Sequence, residues 1–276
     1  MLILVHPRVR LAAFRQSYWS PYPLPATVSP SVASQVHGQC RRRNPMTTDL
    51  YLIRHGEAVA NVEPIIGGMR GDVGLTDLGR KQAELLEQRL RAEQVRADQL
   101  YVSTLPRALE TGEYVARALQ LPIQRDDDLQ ELRPGEADGL SVDEWRRRFG
   151  DPHSLLPTHP FRPFSPGGES WAAFLVRAGS ALARLVAEHE DETVVAVCHG
   201  GVLEVSFYLA FGLGGTGNRV AFAPLNTSIT HWRHRRGSNG QSEWTLVTFN
   251  DAGHLAGAGV PEESEREAVP TPPNED

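Results

Sequence analysis

The chain has 276 residues, 40% of them hydrophobic, enough for one sizeable α/β domain with tails. Its formal charge is −6, with acidic residues gathered after His254, which argues against a broad nucleic-acid surface. Cys40 and Cys198 lie far apart and give no disulfide framework or CxxC metal site, and no run reaches the roughly 18 apolar residues of a membrane helix, so a reducing, cytoplasmic setting is expected.

Residues 1–45 carry arginines but no Asp, Glu or Lys. The apolar opening, residues 1–5, is too short for a secretory core and is interrupted by His6-Pro7-Arg8. An acid-free leader suits an organellar transit peptide. Met46-Thr47-Thr48-Asp49, just before the first predicted strand, favours an upstream extension instead. Either way 1–45 is expected to be disordered, 46–255 to form the domain, and 256–276 to be a disordered acidic tail.

Leu50-Tyr51-Leu52-Ile53 reads as a short buried strand ending at Arg54-His55-Gly56-Glu57. That places Arg54 and His55 on the rim where open α/β sheets carry their sites. A glycine-rich loop follows over 61–74, then a helix with Thr76 as N-cap and Ala83, Leu86 and Leu90 on one face. Leu100-Tyr101-Val102-Ser103 predicts the second strand. Pro106 suits the first turn of a helix to about residue 119, setting Arg107 where anions are favoured; a surface arginine paired with Glu110 is the alternative.

The stretch from Leu129 to Gly139 carries two neighbouring carboxylates, Glu131 and Glu136. Residues 140–168 read as a short helix and a lid-like loop, whose arginines and His153 either select acidic substrates or form an exposed basic face. A long helix follows to about residue 189, with Phe174, Leu175, Leu182, Leu185 and Val186 as core candidates. Thr193-Val194-Val195-Ala196-Val197-Cys198 is the strongest buried parallel-strand signal, and it runs into His199-Gly200-Gly201 and another helix. Residues 226–232 and 244–249 predict a terminal hairpin.

Four of these stretches, in order, resemble the motifs of the histidine phosphatase superfamily, which also contains the cofactor-dependent phosphoglycerate mutases. They are Arg54-His55-Gly56-Glu57 with Asn61, Ser103-Thr104-Leu105-Pro106-Arg107-Ala108-x-x-Thr111, the Glu131 segment, and His199-Gly200-Gly201. Leu75-Thr76-x-x-Gly79-x-x-Gln82-Ala83 resembles the family's helix after the first site loop, and Pro166-Gly167-Gly168-Glu169-Ser170, with Arg177 beyond it, looks like the family's phosphatase branch. The resemblance covers roughly 49–250. It implies a phosphoglycerate mutase-like, three-layer α/β sandwich with a mostly parallel sheet flanked by helices. It implies His55 as nucleophile, with Arg54, Arg107, His199 and Gly200 around the phosphate, and Asn61 either holding the phosphate or ordering the loop. By the family's register Glu131 is the acid, with Glu136 as its rival.

The chemistry agrees. Arg54 and Arg107 are permanently charged forks suited to phosphate oxygens. His199 and the backbone amides near Gly200 add donors at a helix start. A neutral His55 attacks phosphorus to give a phosphohistidine, and a carboxyl group serves first the leaving oxygen and then water. His55, His199 and a carboxylate would also suit zinc, but two arginines repel a dication, so neither metal nor cofactor is expected. The sequence lacks the Ser and Trp typical of the mutases after Glu57, which favours a phosphomonoester hydrolase over a mutase or a catalytically silent phospho-ligand binder. The expected partner is a small-molecule phosphate ester, with no nucleic acid and no membrane; a homodimer is compatible with the sequence.

Overall fold

The computed structural model describes residues 46–150, 159–212, 222–237 and 241–256. The expected leader, His153 and the tail beyond residue 256 lie outside them. The central strand is β1 (Met46–Arg54). Its apolar residues alternate in direction: Leu50 and Leu52 enter one core, Ile53 the opposite one. β4 (Thr193–Cys198) does the same, sending Val194 and Ala196 to the first core and Val195 and Val197 to the second. A sheet buried on both faces needs apolar residues in both registers, which is why these strands read as continuous hydrophobic runs.

The sheet has six strands in the order β3-β2-β4-β1-β5-β6. β3 (Gln124–Asp126), β2 (Gln99–Ser103), β4 and β1 run parallel; β5 (Ile229–Arg236) and β6 (Ser242–Asp251) are antiparallel additions. On one face pack α2 (Asp77–Ala92) and α3 (Pro106–Leu119), through Leu86, Leu90 and Val115. On the other pack α5 (Trp171–Glu188) and α6 (Gly200–Phe211), through Phe174, Leu182, Leu185 and Leu203. Each such buried leucine contributes about 1.5–3 kcal/mol. The expected three-layer sandwich is therefore present. A single turn, α1 (Val59–Val62), follows β1, and α4 (Val142–Phe149) lies in the insert.

The caps follow the sequence. Thr76 accepts from Gly79 N at the start of α2, and Ser170 accepts from Ala173 N at the start of α5. The arginines of α4 pair on their own helix, Arg147 and Arg148 with Glu144 and Arg146 with Asp143, as an exposed basic face would. Glu110 is taken by Arg80 at 2.7 Å, so the surface-pair alternative for Arg107 does not hold. The hairpin also differs from expectation: β5 begins at Ile229, and residues 226–228 form a turn, because Thr227 has φ +59 and cannot continue a strand.

Candidate active site

Strand order brings the site together. β4 is inserted between β1 and β2, with Arg54 in register with Cys198. His55 and His199, each one residue further on, leave from adjacent strand ends, and their ring centroids are 5.1 Å apart. The ladder runs on one more step, from His55 N to Cys198 O at 3.0 Å. From the other side of β4, β2 delivers Ser103, whose Oγ shares a 2.7 Å hydrogen bond with His199 Nε2.

His55 is 3% exposed and its ring is fixed at both nitrogens. Nδ1 lies 2.7 Å from Gly56 O, which can only accept, so Nδ1 carries the proton. Nε2 then holds a lone pair, and Arg107 Nε donates to it at 3.1 Å. Burial first, then the charges of Arg107 and Arg54, hold the imidazole well below its ordinary range, so it is neutral near pH 7. His199 is fully buried and lowered likewise, by burial and then by Arg107, His55 and Arg54. Its Nδ1 has no hydrogen-bond partner among the described residues, a buried position open to an incoming polar atom.

Arg107 stands one residue inside α3, behind Pro106 at the helix start. Its guanidinium is anchored on Asp72 Oδ2 at 2.8 Å and on Gly67 O at 3.0 Å. Asp72 also accepts from the Arg107 amide and from Gly74 N, so one buried carboxylate ties the glycine-rich loop to α3. Thr111 links the same helix to the turn after β1, donating to Arg107 O at 2.8 Å and accepting from Gly56 N at 3.0 Å. Arg54 donates from Nη1 to Pro224 O, and its Nε passes beside Gly200 at the start of α6.

Glu131 reaches that same helix start. Its Oε2 accepts from Gly201 N at 2.9 Å and its Oε1 from Leu132 N at 2.9 Å. A Cβ on Gly201 would stand 2.2 Å from Glu131 Oε1, so only glycine admits the carboxylate here. Arg177 braces the segment, donating to the carbonyls of Asp128, Gln130 and Glu131 while bound to both oxygens of Glu169. Glu136 instead sits in a short 3-10 turn packed against residues 165–168. Asn61 caps α1, its Oδ1 accepting from Ala58 N at 2.9 Å, which orders the loop after β1. Gly200 is the first residue of α6.

Asp72, Ser103 and Asn226 take part without a role assigned from sequence. Asp72 is one polar residue in the glycine-rich loop 61–74, and Asn226, whose Nδ2 donates to His55 O at 3.0 Å, falls in the stretch whose sequence predicts a hairpin strand. Among the described residues no three His, Cys, Asp or Glu side chains gather as a metal site, and no helix is long and apolar enough to cross a membrane.

A family model described as the histidine phosphatase superfamily (branch 1) matches residues 50–252. Phosphoglycerate mutase-like protein 4 of Arabidopsis thaliana is 32% identical over 213 residues, 76% of this chain and 88% of that protein. Among solved structures, Bacillus stearothermophilus YhfR superposes with a TM-score of 0.63 at 32% identity, covering 75% of this chain and 99% of its own. A mycobacterial glucosyl-3-phosphoglycerate phosphatase superposes with a TM-score of 0.63 at 26% identity, over 74% and 99% of the two chains.

Proposed function

The chain belongs to the histidine phosphatase superfamily, and on that premise we propose that it hydrolyses a small phosphomonoester through a phosphohistidine on His55. One observation carries the reading: Gly56 O takes the Nδ1 proton, leaving the Nε2 lone pair beside the Arg107 guanidinium. A neutral nucleophile is thus presented where an arginine would hold the phosphoryl oxygens.

In the first step the Nε2 lone pair forms the N–P bond as the ester P–O bond breaks. Arg54, Arg107 and His199 Nδ1–H stabilise the equatorial oxygens, and Glu131 gives its proton to the leaving alkoxide. In the second step water attacks phosphorus, its proton passes to the Glu131 carboxylate, and the P–N bond returns its electrons to Nε2. No step routes through a metal. Glu131 is preferred to Glu136 because its carboxylate lies two residues from His199, at the head of α6.

The test is phosphate release from a panel of alkyl and aryl phosphomonoesters and 3-phosphoglycerate, with and without His55→Ala, together with trapping of an acid-labile phosphoenzyme. Release and trapping that both vanish in the variant support the proposal. A His55→Ala protein as active as the parent would sink it. A mutase is the second reading, favoured by the name of the Arabidopsis relative. It predicts interconversion of 2- and 3-phosphoglycerate with little phosphate released.

A further inference from the structure

The glycine-rich loop between α1 and α2 is tied down in two different ways. Its base is held by backbone alone: Ile66 N donates to Leu140 O at 2.9 Å, Gly139 N to Ile66 O at 2.9 Å, and Val142 N to Pro64 O at 2.8 Å. Its tip is held by one side chain from the same opposing stretch. Asp138 Oδ1 accepts from Gly68 N at 3.0 Å and from Gly71 N at 2.9 Å, and Oδ2 accepts from Arg70 N at 2.9 Å. Three amides thus converge on a single carboxylate, as they would on a bound anion. The Arg70 guanidinium is solvent-exposed and approaches only to 3.8 Å, so it adds little. Asp138 is itself seated by a 3-10 turn, Gly135–Ala137, whose Ala137 amide donates to Ser165 Oγ at 3.0 Å.

One peptide unit joins this carboxylate to the site. The bond between Gly67 and Gly68 is planar, so its N–H and its oxygen turn together. The N–H is Gly68 N, which donates to Asp138 Oδ1; the oxygen is Gly67 O, which accepts from Arg107 Nη1 at 3.0 Å. The glycine on either side of the plane leaves it free to rotate, so its orientation comes from the contacts at its two ends. Glycine is required at both positions, because a Cβ on Gly67 would stand 2.5 Å from Ala60 Cβ and one on Gly68 2.6 Å from Asp138 Cγ. Arg107 needs that oxygen for direction. Asp72 Oδ2 meets the same Nη1 at 2.8 Å and balances its charge, while Gly67 O is a second acceptor that fixes how the guanidinium is turned towards His55 Nε2, 3.1 Å from Arg107 Nε.

We infer that Asp138 is a positioning residue for the phosphate clamp: through the Gly67–Gly68 peptide it orients the Arg107 guanidinium. The segment that carries Glu131 at one end therefore carries, at the other, the carboxylate that shapes the clamp. The inference deepens the phosphohistidine reading and rests on it only for what the clamp holds.

The experiment compares the full chain with three variants, using inorganic phosphate as the probe and the Arg107 Nε–H resonance as a second readout. Charge alone sets one sign: removing a carboxylate from beside an anion site should tighten phosphate binding. Positioning sets the other. Asp138→Ala is expected to weaken phosphate about tenfold, the worth of one misaligned charge-assisted hydrogen bond, and to shift or broaden the Arg107 resonance. Asp138→Asn keeps an oxygen for the Gly68 and Gly71 amides and should bind phosphate at least as well as the parent. Gly68→Ala leaves the charge in place but pushes the loop off the carboxylate, so it should weaken phosphate as Asp138→Ala does, and it decides alone if that variant does not fold. Tighter or unchanged binding in Asp138→Ala or Gly68→Ala, an asparagine variant as weak as alanine, or an undisturbed Arg107 resonance would each overturn the assignment. If the parent binds phosphate but forms no phosphohistidine, the functional reading fails while the affinity series still decides this one.

Discussion

His55 owes its reactivity to its setting more than to its type: a carbonyl fixes its proton, burial keeps it neutral, and two guanidiniums oppose a second proton. Because the neutral form is the nucleophile and burial, then Arg107 and Arg54, lower its pKa, acidification through the ordinary imidazole range should not titrate it. The profile of kcat/KM should therefore show no acid limb near the free imidazole value, and a limb centred there would contradict the neutral assignment. Asp72 gives a second prediction. It is the buried partner of Arg107, and Asp72→Ala leaves that cation without its anchor, a loss of about 3–5 kcal/mol readable in urea. Vanadate should restore the variant's melting temperature more than it raises the parent's, because the anion stands in for the missing carboxylate. The two histidines and Arg107 were legible because each follows a strand that the sequence announces. Asp72 was not, since nothing local distinguishes a loop aspartate in water from one buried under an arginine.

At the scale of elements, the site depends on close approaches that only glycine allows. A Cβ on Gly79 would meet Glu57 O at 2.0 Å, so the start of α2 lies directly on the turn after β1. The Thr76 cap adds to that seat, donating to Glu57 Oε1 at 2.7 Å as well as accepting from Gly79. At the head of α6, Gly201→Ala should push the Glu131 carboxylate aside and leave the fold intact. Turnover of alkyl phosphates should then fall about a hundredfold, the usual worth of a positioned acid, while good aryl leaving groups lose much less. Equal losses on both substrates would mean that Glu131 does not protonate the leaving group. Helices and strands were read correctly where a capping residue or a hydrophobic run marked them. The turn at 226–228 was missed because its β-branched Thr227 is held at φ +59 by distant contacts, against local preference.

At the scale of the molecule, buried neutral histidines set the response to acid. His55 and His199 lie well below the ordinary imidazole range, and His254 lies at about 4, so an unfolded chain binds more protons than the fold between these values and 6.5. Stability should therefore decline as pH falls from 7 towards 4.5, seen as a falling urea midpoint, and His254→Gln should flatten the slope. Asp251, lowered to about 2 chiefly by its hydrogen bonds to Arg89, contributes in the other window: its share is kept above the ordinary aspartate value and lost only as pH drops through about 2. The strand order has one more consequence, in time. β1 is made early, yet its parallel neighbour pairs Asp49 with Thr193, and its antiparallel neighbour pairs Ile53 with Ile229. At ribosomal speeds of about 5–20 residues per second, that first partner is on the order of ten seconds away. Through that interval the apolar run Leu50–Ile53 has neither of its partner strands, and keeping it from other chains becomes a task for the cell that makes it.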